Sequence, residues 1–98
     1  MANTMAQPQQ FLVEWYGPRT CARPIGEIVD LLNGRAEFMA TRGTVVRLLT
    51  AMTVPGDNYT FGVFAAESAE VVALICGDVG APAERISGGV GWVRPENC

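Results

Sequence analysis

The residues of this chain that could do chemistry fall into three groups. Glu14 sits in the run Gln10 to Tyr16, QFLVEWY, among apolar and aromatic neighbours. A carboxylate there must be paired, hydrated or shifted in pKa, and could act as a ligand or a base. Arg47 is the only charge between Thr44 and Val54. The plainest account of both is a Glu14 to Arg47 ion pair across a sheet or between subunits; the alternative is that they line a cleft. The second group is Arg19-Thr20-Cys21-Ala22-Arg23, a thiol between two guanidinium groups just before a helix start. That setting lowers a thiol pKa and attracts anions, making Arg19 and Arg23 candidate ligand-binding residues and Cys21 a candidate reactive thiol. The bland reading is a solvated loop, with Asp57 balancing one arginine. The third group is aromatic: Trp15, Tyr16, Tyr59, Phe64 and Trp92 could line a pocket for a flat organic molecule, or could be core and interface. Gly88, Gly89 and Gly91 lack the following helix that a phosphate-binding glycine motif needs, and fit a bulge or close backbone approach instead.

What is missing narrows the choice further. The chain has no histidine, which removes Ser-His and Cys-His nucleophile pairs, imidazole metal sites and any side chain with an ordinary pKa near 7. No catalytic residue is assigned. Its three cysteines, Cys21, Cys76 and Cys98, are odd in number and widely spaced, which suits neither a disulfide framework nor a CxxC site and points to a reducing cytoplasm. A net charge of -3 with no basic stripe argues against nucleic acid. No apolar run approaches the length of a membrane span, and residues 1 to 10 carry no export signal.

These side chains need elements to position them. At 98 residues the chain has room for one domain, expected over 10–94 between tails at 1–9 and 95–98. Gln10 to Tyr16 reads as a strand. Pro24 suits a helix start, and Ile25, Ile28, Val29, Leu32, Ala36 and Met39 follow one helical face as far as Arg42-Gly43. Asn33-Gly34 is a weak point within it. Thr44 to Val54, the turn Pro55-Gly56-Asp57-Asn58, and Tyr59 to Ala65 read as a hairpin. Ser68 caps a second helix with a stripe of Val71, Val72, Leu74, Ile75 and Val79, stopped by Gly80 and Pro82. Ile86 to Val93 closes the chain as a last strand.

The order βαββαβ is met most simply by a ferredoxin-like α+β fold, a four-stranded antiparallel sheet with both helices on one face. Alternation then sends Phe11, Val13, Val46, Leu48, Phe61 and Val63 toward the helices. Leu12, Glu14, Tyr16, Arg47, Leu49, Thr60 and Phe64 go to the open face. With 49% hydrophobic and 17% charged residues, so small a chain has more apolar surface than it can hide, and the open face is expected to form a homodimer. The loop 17–23, the hairpin turn 55–58 and the turn 78–82 are expected at one end of the sheet.

The segments VPGDNYTFGVFAAESAEVV (54–72) and GAPAERISGGVGWV (80–93) resemble a family of small, mostly actinobacterial domains of unknown function that includes a dimeric nickel-binding protein. The resemblance spans most of residues 11 to 93. It implies a ferredoxin-like dimer of the dimeric α/β barrel type holding a metal ion or small ligand. Related sequences often carry a histidine after the glutamate of the first strand, where this chain has Trp15 after Glu14. Glu14 alone carries over as a metal ligand, and carboxylates by themselves favour hard cations over nickel. Two readings follow. One is a non-catalytic binding protein with a ligand or divalent metal near the dimer interface, held by Glu14, Tyr16, Arg47, Tyr59, Arg19 and Arg23. The other is a cofactor-independent dimeric-barrel enzyme, a monooxygenase or isomerase acting on a hydrophobic small molecule by positioning.

Overall fold

A computed structural model of the chain describes residues 9–17 and 23–91; the segment 18–22, which holds Arg19 and Cys21, and the ends, with Trp92 and Cys98, lie outside the described residues. The elements run β1 (Gln9–Tyr16), α1 (Ile25–Thr41), β2 (Val46–Val54), β3 (Tyr59–Ala66), α2 (Ala69–Asp78) and β4 (Arg85–Ser87), with a 3-10 turn (Pro55–Asp57) inside the hairpin. Their sheet is antiparallel, in the order β2-β3-β1-β4. This is the ferredoxin-like α+β fold that the element order implies.

Local chemistry explains the boundaries. The Pro24 carbonyl accepts the first amides of α1, from Glu27 at 3.0 Å and Ile28 at 3.3 Å. Ile28, Leu32 and Ala36 then form its buried stripe, and the helix runs through Asn33-Gly34 unbroken because that stripe is continuous on both sides. Gly43, at φ +85, takes the left-handed turn after the helix, a conformation that costs glycine little. The Ser68 hydroxyl accepts the Val71 amide at 3.3 Å and caps α2. In that helix Val72, Ile75 and Cys76 are buried while Leu74 is 51% exposed. The stripe is therefore rotated from the expected one, with Cys76 in the place given to Leu74, because α2 is set by its contact with the sheet and α1. Burial pushes the Cys76 thiol up to about 12.

Both helices lie on one face, where Phe11, Val13 and Trp15 of β1 pack with Ile28, Leu32, Ala36, Val72, Ile75 and Cys76. Burying each large side chain contributes roughly 1.5–3 kcal/mol. The Trp15 indole N–H donates to the Ala81 carbonyl at 2.7 Å, so the buried ring leaves no donor unpaired. That bond draws the turn after α2 to the end of β1, where the Gly17 amide also donates to the Asn58 carbonyl at 2.7 Å. The hairpin turn and the turn after α2 thus meet at the Tyr16 end, as expected; most of the third connection lies outside the described residues.

Three expectations are corrected. On β3 the faces are exchanged: Phe64 and Thr60 are buried toward the helices, while Phe61 and Val63 lie on the open face. Phe11 opposes Phe64 and Glu14 opposes Phe61, and residues directly opposite share a face. Thr60 is accommodated in the core because its hydroxyl meets that of Thr53 at 3.0 Å. Second, a register shift between Leu48 and Thr50 makes Leu49 an extra residue in β2. Beyond it the parity reverses, so Thr50, Met52 and Val54 share the open face with Arg47. Third, β4 spans Arg85–Ser87 where the expected strand ran from Ile86 on to Val93; Gly89 turns at φ +66, and 92–93 lie outside the described residues.

Candidate functional site

The strand register arranges the open face in rows. One row runs Met52, Phe61, Glu14, Arg85 across β2, β3, β1 and β4, and the next runs Val54, Tyr59, Tyr16. In the opposite direction lie Thr50, Val63, Leu12, Ser87 and then Arg47, Ala65, Gln10. Glu14 is thus framed by Phe61, Tyr59 and Tyr16 on one side and Arg85 on the other.

The carboxylate is held firmly. Tyr16 donates its hydroxyl to Glu14 Oε1 at 2.7 Å and Tyr59 donates to the same oxygen at 3.2 Å. Among the described residues, the hydrogen bonds to this carboxylate all end on Oε1. The second oxygen, Oε2, faces Arg85 Nε at 3.8 Å, close enough for an ion pair and too far for a hydrogen bond. The Glu14 side chain is only 14% exposed, whereas that of Arg85 is 67% exposed. Among the described residues, a carboxylate with hydrogen bonds to one oxygen is therefore recessed in the sheet beside a guanidinium that projects into solvent.

The tyrosines respond to this neighbour. Hydrogen bonding to Glu14 raises the Tyr16 pKa above its ordinary 10.0, with desolvation and the carboxylate charge adding to it and Arg85 offsetting part. For Tyr59 desolvation comes first, followed by the charge and hydrogen bond of Glu14. Their rings stack with centroids 5.7 Å apart, and the Tyr59 and Phe61 rings meet at 5.6 Å. The result is an apolar, aromatic floor around one anionic oxygen.

Of the residues expected at a site, Glu14, Tyr16 and Tyr59 come together and Arg47 does not. Gln10 and Glu14 are four residues apart on β1, roughly 13 Å, and Arg47 is a further two strands away, about 10 Å. Within the chain the expected Glu14 to Arg47 pair is replaced by Glu14 to Arg85. Arg47 instead borders an open cleft of about 300 Å³ between α1 and β2 with Asn33, Ala36, Glu37 and Ala40. Arg23 pairs with Glu27 at 3.6 Å, one turn into α1, and Arg19 lies outside the described residues. Of the aromatic group, Trp15 and Phe64 are core, Tyr16 and Tyr59 line the site, and Trp92 is outside the described residues. Phe61 and Arg85 are the members that the sequence reading missed. The signal for Arg85 was its position three residues after Pro82, at the start of a strand antiparallel to β1; nothing local marked Phe61.

The donor set does not suit a metal. Among the described residues no three His, Cys, Asp or Glu side chains gather at one point, and one oxygen of Glu14 is already taken by two hydroxyls. Nickel, which the resemblance implied, would also find no imidazole in this chain and, among the described residues, no thiolate in this cluster.

No protein-family model matches the chain, and no curated protein matches it. Among solved structures, the crystal structure of SCO4226 from Streptomyces coelicolor A3(2) matches with a TM-score of 0.63 at 16% identity, covering 87% of this chain and 99% of that one. The class is thereby fixed as a small ferredoxin-like α+β domain. The neighbour's source agrees with the small actinobacterial chains noted above, and the likeness speaks to the fold and not to nickel. No helix of the described residues is long and apolar enough to cross a membrane.

Proposed function

We propose that this protein is a non-catalytic binding protein that works in the cytoplasm as a homodimer and holds a small organic ligand between the open faces of two sheets. The observation that carries this reading is Glu14, a recessed carboxylate with one oxygen fixed by two tyrosines, on a face where Leu12, Met52, Val54, Phe61 and Val63 supply apolar surface around it. Such a face is where a few placed polar groups orient a mostly apolar ligand. Met52, Tyr16 and Val54 on this face are 53%, 46% and 37% exposed, a surface that a second copy would cover. Two open faces meeting would close over the Glu14 cluster and turn a shallow aromatic floor into an enclosed site.

Native mass spectrometry of the full chain, purified without chelator, tests this. A dimer that retains a small molecule, or takes up an added one, supports the reading. A monomer at micromolar concentration with nothing bound would overturn it, and a stoichiometric divalent metal would replace the organic ligand with an ion.

A further inference from the structure

The geometry points to a protonated organic amine as the ligand of the Glu14 site, with Arg85 as the resident cation that the amine displaces. This rests on the binding function just proposed and adds the charge and chemical class of the ligand.

Three observations support it. The hydrogen bonds from Tyr16 and Tyr59 both go to Glu14 Oε1, which fixes the carboxylate plane and, among the described residues, leaves Oε2 without a hydrogen-bond donor. A carboxylate that is 14% exposed gains more from a charge-assisted hydrogen bond than one in water. The group paired with Oε2 is already a cation, yet at 3.8 Å it makes no hydrogen bond to that oxygen and its side chain is 67% exposed. Holding it there contributes little, as for other exposed ion pairs, so an ammonium donor that reaches Oε2 at hydrogen-bonding distance displaces it easily. Beside the carboxylate lie the Tyr16, Tyr59 and Phe61 rings in a connected series, an apolar and π-rich surface for the rest of the molecule. An anion would meet the opposite arrangement. Both tyrosine donors are occupied by Glu14, and the carboxylate would repel it.

Isothermal titration calorimetry on the full chain with benzylamine, benzyl alcohol and benzoate separates the charge classes on one ring. Benzylamine is expected to bind at least about tenfold more tightly than either of the others, the worth of one charge-assisted hydrogen bond. Glu14→Gln, nearly the same shape, is expected to lose that preference. Arg85→Gln, which removes the cation the amine displaces, is expected to tighten benzylamine binding a few fold. Preferential benzoate binding that depends on Arg85 overturns the amine assignment while leaving a ligand-binding protein in place, as does preferential benzyl alcohol binding. If none of the three binds or shifts the Tyr16 and Tyr59 ring resonances, the amine assignment fails; a retained endogenous molecule in the mass spectrum then decides whether the binding function fails with it. If Glu14→Gln does not fold, Tyr59→Phe serves instead: a weakened benzylamine preference supports the assignment, and an unchanged preference together with weaker binding in Arg85→Gln overturns it.

Discussion

The two faces of β1 solve opposite problems with the same eight residues. Toward the helices, Phe11, Val13 and Trp15 are at most 5% exposed, and the one polar atom among their side chains, the indole nitrogen, has its acceptor. On the other face Leu12 and Glu14 are half-buried and Tyr16 is exposed, and the polar groups gather round a single carboxylate. One side is a finished core. Among the described residues, the other face leaves Glu14 Oε2 without a hydrogen-bond donor and a buried Gln10 Oε1 without a partner, which in most cores would cost stability. Apolar surface next to such polar groups is what the proposed binding role asks of this face.

The sharpest way to break this contrast is to truncate one aromatic on each face of β3. Phe64→Ala is expected to cost about 3–5 kcal/mol in urea unfolding, since it opens a cavity in the core, and Phe61→Ala about 1 kcal/mol. The reverse order would overturn the face assignment. Next in size, Trp15→Phe keeps most of the ring but leaves the Ala81 carbonyl without its donor, at about 1–3 kcal/mol; an unchanged midpoint would mean that the bond contributes nothing.

A smaller effect comes from pH. The folded chain holds the Tyr16 and Tyr59 protons above the ordinary 10.0, so it binds more protons there than the unfolded chain. The stabilisation is complete below that value and lost as pH rises through the raised folded values. Wild-type stability should therefore fall more steeply in alkali than that of Glu14→Gln, and tyrosinate absorbance should develop at lower pH in the variant. Coincident titrations would remove Glu14 as the cause. Smallest of all, Met52→Lys should change the stability of the isolated chain by no more than about 0.5 kcal/mol, yet dissociate a dimer formed through this face; a dimer that persists unaltered would place the interface elsewhere.

Much of this organisation was legible in the sequence because it is local. The span of α1 follows from apolar residues three and four apart, its end from Gly43, the start of α2 from Ser68, and the hairpin from Pro55 to Asn58. Each of these signals acts within a turn or two of chain. Part of the site was legible too, since Glu14 and Tyr16 lie two apart on one strand and must share a face.

The rest depended on partners distant in sequence. In YTFGVFAA both alternating sets are apolar enough to be core, Tyr59, Phe61, Val63 and Ala65 in one and Thr60, Gly62, Phe64 and Ala66 in the other. Period two alone could not choose between them. The choice falls to the register with β1, helped by packing: a Cβ at Gly62 would come within 3.2 Å of Leu48 Cδ1 and 3.4 Å of the Thr50 carbonyl oxygen, so that position suits glycine on the crowded side. The partner of Glu14 was decided in the same way. The sequence pointed to Arg47, but strand order seats β4, with Arg85, beside β1 and puts β2 two strands away. The sequence by itself determined which elements form and that a carboxylate would lie on an apolar face; tertiary pairing decided which cation answers it, because an ion pair depends on distances that only the assembled sheet sets.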